Sequence, residues 1–259
     1  MFFPVRDDNP TLDASVATLA LIGTNLACWA FVQGLGLEPR LSMSVCNLGA
    51  IPGELLGTVM PGTHTNLGGG LACVIEADAD WATVVTSMFM HGSWLHLLGN
   101  MWFLWLFGDN VEDAMGHLRF ALFYLLCGLA AFAAQALSDS SSAIPMVGAS
   151  GAIGGVLGAY ARLYPRARVH VLGVFFIFVR RFVVPAVFVL GLWFVMQVVS
   201  GLPALGSPAA GGVAFWAHIG GFLAGLLLVG LFSDPQRLEL HRAHRLGRHL
   251  RRERDAFGD

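Results

Sequence analysis

The sequence predicts an all-α membrane protein: a bundle of six transmembrane helices with a long first outer loop and a short central helix of small residues. Three observations lead there. Of the 259 residues, 56% are hydrophobic and only 12% charged, with a mean hydropathy of +0.66, whereas soluble domains carry roughly a quarter charged residues. Apolar stretches close to the roughly 20 residues that cross about 30 Å of hydrocarbon recur along the chain. The charges are also segregated: all 15 basic residues are arginine, and they crowd into a few links and the C-terminal end.

The apolar stretches lie near 14–33, 87–108, 120–137, 147–163, 182–200 and 213–232. Residues 1–232 are therefore expected to form one transmembrane domain, followed by a basic tail, 233–259. Asp7, Asp8 and Asp13 precede the first stretch where a cleaved signal would carry positive charge, so it reads as a retained helix. Another apolar run, Val169 to Val179, is fenced by arginines and too short to span. It is expected to lie on the surface or to re-enter shallowly.

The loop from Gly34 to Trp81 is too long for a mere connector and is expected to hold a partly inserted element. Cys46 and Cys73 lie in it, and the sequence leaves their pairing open. Cys28 and Cys127 fall within spans and read as apolar fillers. The fifth span, "FVVPAVFVLGLWFVMQVV", is bulky, lacks a small-residue face and begins near Pro185. It is expected to pack more loosely than its neighbours.

Arginine-rich loops stay on the cytoplasmic side. Arg162, Arg166, Arg168, Arg180 and Arg181 surround the link between spans four and five, and the tail carries Arg237, Arg242, Arg245 and others. Both termini are then inside, as an even number of spans requires. A bacterial plasma membrane is the expected location, and the tail has the charge to lie on anionic lipid. Spans two, four and six all run inward from the outer face, so residues near their starts share a depth.

At those starts stand His91, His96 and Asn100, then Ser150, then His218. His218, some five residues into its span, should sit about 8 Å below the boundary. Polar side chains at such depth are functional candidates. Taken alone, Ser150 in "GASGAIGGVLGAY" would be an interface residue, because small residues let helices approach closely. The pairs Gly151/Gly155, Gly154/Gly158 and Gly221/Gly225 fit that role. Such close faces also bring a serine and a histidine within reach of each other, as a base-activated nucleophile requires.

His96 and Asn100, one turn apart, share a helix face and suit an oxyanion; His91 reads as structural. No carboxylate lies in the outer half of these spans, which implies a dyad whose histidine is oriented by some group the sequence does not identify. There is no H-E-x-x-H or other ligand spacing for a metal and no phosphate-binding glycine loop, so neither metal nor cofactor is expected. Nothing points to nucleic acid, and oligomeric state is not legible.

These residues resemble the rhomboid intramembrane serine proteases. The G-x-S-G motif of that family is matched by Gly148 to Gly151 ("GASG"), its histidine motif by "AHIGG" up to Gly221, and its H-x-x-x-x-H-x-x-x-N pattern by "HGSWLHLLGN". "FGDNVEDAMG" is similar to its glutamate–glycine pattern, with Glu112 and Gly116. The resemblance implies Ser150 as nucleophile and His218 as general base. It also implies His96, Asn100 and the Ser150 amide as oxyanion site, membrane-spanning proteins as substrates, and spans two and five as a lateral gate; because a helix in lipid shields its own peptide bonds, substrates with unstable transmembrane helices are expected. The chain departs from the pattern at Ala82 after Trp81 and at Gly154, where an aromatic residue is common. A non-proteolytic binder with the same core is the alternative; a transporter would want inverted repeats or midplane charges, and neither is present.

Overall fold

The computed structural model describes residues 2–68, 71–175, 178–204 and 213–257; nothing is said of side chains at 2, 67, 68, 71, 174, 175, 178, 204 and 248–257. The expected tail arginines Arg248, Arg251, Arg252 and Arg254 therefore lie outside the described side chains. Most of the chain is helical. A strand β1 (Phe2–Asp7) precedes α1 (Val16–Ala27), which continues through a wider turn at Cys28–Val32. The first loop carries α2 (Arg40–Leu48), α3 (Pro52–Leu55), a hairpin of β2 (His64–Gly68) and β3 (Leu71–Val74), and α4 (Thr83–Thr86). The bundle follows: α5 (Trp94–Met115), α6 (His117–Ser138), α7 (Ser150–Leu163), α8 (Ala186–Gly201) and α9 (Phe215–Phe232). Strands β4 (Arg168–Phe175) and β5 (Phe178–Pro185) separate α7 from α8, and α10 (Pro235–Phe257) ends the described chain. By length and composition α6 and α9 suffice to cross a membrane; Val16–Val32 and α8 are shorter apolar helices.

The centre of the bundle is the α7–α9 contact. A Cβ on Gly221 would lie 1.9 Å from the carbonyl oxygen of Gly151, and one on Gly225 equally near that of Gly155. Backbone therefore meets backbone, leaving no space for a side chain. Around this seam Phe107, Phe120, Phe123, Tyr124 and Leu157 are wholly buried. By contrast, α8 buries only Ala186, Leu190 and Gly201, and Phe188, Val195, Met196 and Val199 stand exposed along it. Leucines exposed on α6 and α9 likewise suit hydrocarbon surroundings.

The run from Val169, expected to lie on the surface or to re-enter shallowly, has extended backbone. It belongs to an antiparallel hairpin of β4 and β5, on whose outer edge β1 adds a third strand in the order β1-β4-β5. Its valines and aromatics are strand formers. Pro4, which cannot donate to a ladder, sits beside the register shift of the edge strand. The chain is thus mostly helical, in keeping with an all-α membrane bundle, with two small sheets added beside the helices. In the first loop, Cys46 on α2 and Cys73 on β3 form a disulfide with Cα atoms 5.3 Å apart, closing the question left open by the sequence.

Carboxylates tie the other end together. Glu112, near the end of α5, accepts from the amides of Ala17 and Thr18 at 2.8 and 2.7 Å and so caps the start of α1, where anionic groups are favoured. Asp113 accepts from Leu12 and Asp13 in the same way. Gly116 turns the chain from α5 to α6 at φ +81, a left-handed conformation that L side chains resist. The tail helix is docked here: buried His241 donates from Nε2 to Pro10 O at 2.7 Å, and Arg237 pairs with Asp13 at 3.0 Å.

Candidate active site

Ser150 is the first residue of α7, after Gly148 and Ala149 have turned the chain into the helix. Gly148 has φ +120, and a Cβ there would also lie 2.6 Å from Nε2 of His96; only glycine fits both the backbone and the ring. The hydroxyl stands at the N-terminus of α7, where the first amides have no acceptor within the helix. The amides of Ser150 and Gly151 are thus free to meet negative charge.

His218 is in the first turn of α9. Its Nε2 lies 2.8 Å from Ser150 Oγ. Its Nδ1 lies 2.8 Å from the side-chain oxygen of Gln197 on α8. An amide oxygen only accepts, so Nδ1 carries the proton and Nε2 presents a lone pair to the serine hydroxyl. The imidazole is flanked by Trp193, with ring centroids 6.0 Å apart and planes tilted 37°, and by Phe215 edge-on at 6.5 Å. Gly154, where an aromatic residue was missed, instead admits the α9 backbone: a Cβ there would lie 2.9 Å from His218 O.

His96 and Asn100 come from α5. Ser93 caps that helix, its hydroxyl accepting from His96 N at 3.1 Å. Gly92 N points at His96 Nδ1 at 3.5 Å, a long contact that leaves Nε2 facing Gly148. Asn100 donates from Nδ2 to Nε2 of His91 at 3.0 Å. That amide nitrogen has a second hydrogen, and it lies near Gly148 as well. His91 is fully buried, stacked edge-on against His96 with centroids 5.0 Å apart. Its own backbone is clamped by Gln33, which donates to His91 O and accepts from His91 N, both at 2.8 Å. A cavity of about 40 Å³ adjoins Ser150, lined by Ser87, Met88, Gly128, Ala131 and Met146 among others.

The structure therefore brings Ser150, His218, His96, Asn100, His91, Gly148, Gly151 and Gly221 into one neighbourhood. Glu112 and Gly116 lie apart, at the opposite end of α5. Gln197, Trp193 and Gln33 were not singled out from the sequence. Gln197 had a signal: it is the lone side-chain amide in an otherwise apolar fifth span. No group of three or more His, Cys, Asp or Glu that could hold a metal occurs among the described residues.

Comparison with known proteins agrees in kind. A family model described as the Rhomboid domain matches residues 78–235. The chain is 35% identical over 105 residues to RHOMBOID-like protein 5 of Arabidopsis thaliana, covering 40% of this chain and 33% of that protein. It is 32% identical over 155 residues to Rhomboid protein 1, mitochondrial, of Saccharomyces cerevisiae, covering 56% and 40%. With Rhomboid protease GluP of Bacillus subtilis it shares 40% identity over 83 residues, covering 32% and 16%. The chain thus spans less than half the length of each of these relatives. Since the family match takes in more than half of the chain, with Ser150 and His218 inside it, the chain belongs to the rhomboid family.

Proposed function

We propose that this chain is an intramembrane serine endopeptidase that cuts transmembrane segments of other membrane proteins through a Ser150–His218 dyad. The observation that carries the reading is the 2.8 Å contact between His218 Nε2 and Ser150 Oγ. In the first step His218 Nε2 takes the serine proton as Oγ attacks the scissile carbonyl carbon. The developing oxyanion is met by the Ser150 amide, His96 Nε2–H and the second Asn100 hydrogen. His218 then returns the proton to the leaving amine, and an acyl group remains on Ser150. Water, deprotonated by the same imidazole, releases it.

Gln197 acts in this scheme as a positioning residue, keeping the His218 proton on Nδ1 so that Nε2 is the base. The 40 Å³ cavity beside Ser150 has room for a small side chain on the residue whose carbonyl is attacked. A substrate helix satisfies its own backbone hydrogen bonds, and breaking them in lipid costs several kcal/mol each. Substrates with glycine, proline or polar residues near the cut therefore unwind more readily into the site. Exposed, sparsely buried α8 is the helix best suited to move aside for them.

In this reading six helices, α1 and α5–α9, cross the bilayer. The arginine distribution supports both termini on the cytoplasmic side and a site opening outward. The test is cleavage of a reporter membrane segment by the wild type, Ser150→Ala and His218→Ala in liposomes. Cleavage by the wild type alone supports the dyad. Equal cleavage by Ser150→Ala would rule it out, and a wild type that binds the segment without cutting it would make the chain a non-proteolytic binder.

A further inference from the structure

At the end of the bundle remote from Ser150, the last turns of α7 and α9 and the first turns of α10 enclose a cavity of about 820 Å³. Four arginines line it: Arg162, Arg166, Arg242 and Arg245. Among the described residues no carboxylate lines it, and Arg166, Arg242 and Arg245 have no ion-pair partner. Arg162 is preordered. Its Nη1 donates to Leu226 O at 2.7 Å, which leaves Nε and Nη2 to meet a ligand. Nη2 lies against Gly230, where a Cβ would approach it to 3.3 Å. The helix dipole accounts for Arg162 at the C-terminus of α7. Topology accounts for arginines on this face. Neither accounts for four of them converging on a cavity with no carboxylate among its described lining.

From this geometry we infer that the cavity binds the phosphate headgroup of an anionic phospholipid. Guanidinium groups pair with phosphate oxygens in a bidentate fork, and mutual repulsion among the four is relieved by a bound anion. The floor and wall are apolar, with Val229 and Leu238 among the lining. From the same end of α9 a strip of exposed leucines, Leu231, Leu227 and Leu223, runs up one face at four-residue spacing. A headgroup in the cavity would therefore have its acyl chains alongside α9, a continuation a free phosphate ion does not need. Basic cavities between helices at a membrane surface bind lipid phosphate in this manner. The inference is independent of any protease activity.

The test uses the full chain purified in neutral detergent. Phosphatidylglycerol, phosphatidylcholine and inorganic phosphate are titrated separately, with retained lipid counted by native mass spectrometry and thermal stability followed in parallel. Phosphatidylglycerol should bind saturably and raise the midpoint. Arg166→Gln/Arg242→Gln/Arg245→Gln, all exposed positions, should weaken that binding by about a hundredfold, roughly a factor of five per arginine. Arg180→Gln/Arg181→Gln, on the β5 strand outside the cavity, should leave it intact. Equal losses in both variants, or no loss in the first, would overturn the site. Phosphatidylcholine binding as well as phosphatidylglycerol would do the same, and inorganic phosphate matching phosphatidylglycerol would overturn the lipid as ligand.

Discussion

Gln197 and His218 meet across two helices: Nδ1 of the imidazole donates to the amide oxygen at 2.8 Å, on the side of the ring opposite Ser150. If the amide sets the tautomer, removing it should impair turnover and spare binding. Gln197→Leu is expected to lower kcat by about ten- to a hundredfold, part of what general base catalysis contributes, with KM and the thermal midpoint little changed. Gln197→Glu keeps an acceptor of the same reach and should recover much of the loss. Steady-state kinetics on a reporter segment decides; an unaltered kcat in Gln197→Leu would leave the amide as packing only.

The same bond makes α8 both a wall of the site and a support for its histidine. Cross-linking α8 to α5 through engineered cysteines should therefore suppress cleavage of membrane-embedded segments, with recovery on reduction. Undiminished cleavage in the cross-linked state would discard α8 as the moving element.

Backbone contact between α7 and α9 predicts a sharp asymmetry among glycines. Gly221→Ala forces a methyl to within 1.9 Å of Gly151 O, whereas Gly191→Ala on α8 meets nothing within 4 Å. The first should destabilise the protein by about 1–3 kcal/mol or more, the range of overpacked cores, and should displace His218 relative to Ser150. The second should be tolerated. Thermal unfolding in detergent together with activity measures both.

Asp7, at the end of β1, accepts a hydrogen bond from Tyr160 on α7. Burial pushes its carboxyl up from 3.8 to about 6, with the Tyr160 bond pulling the other way. A carboxyl that binds its proton more tightly in the folded state stabilises the fold fully below about pH 4, and that contribution is lost as pH rises toward and through 6. The wild-type midpoint, compared with Asp7→Asn, should therefore decline between about pH 4 and 6 and run parallel outside that window. Parallel curves throughout would mean that Asp7 titrates normally.

The Cys46–Cys73 bridge closes a 27-residue separation in the first loop. Replacing both cysteines by serine should cost about 3.5 kcal/mol on loop-entropy grounds. The loss should appear as a lowered thermal midpoint that a reductant reproduces in the wild type. A midpoint indifferent to both treatments would show that the loop is held by its other contacts.

The sequence by itself determined a membrane protein, because composition and apolar length report transfer into hydrocarbon without any knowledge of packing. It also determined which residues merited attention as chemistry. Ser150, His218, His96 and Asn100 stand out as polar groups among apolar neighbours, within short motifs that can be read locally. The small residues around Ser150 foretold a close helix contact, since glycine spacing is itself a statement about how near two backbones can come.

Tertiary structure decided what depends on a distant partner. The run after Arg168 forms a hairpin with β5 next to it in sequence, but the sheet gains its third strand from β1, more than 160 residues earlier in the chain; alone the run reads only as too short to span. Gln197 is one amide in a bulky helix until α8 lies against α9, and only then is its oxygen opposite His218 Nδ1. His91 likewise has meaning only once Asn100 and Gln33 close on it. Periodicity and composition follow from each residue's own transfer free energy. The orientation of an imidazole follows from directional hydrogen bonds between helices, whose partners no local pattern specifies.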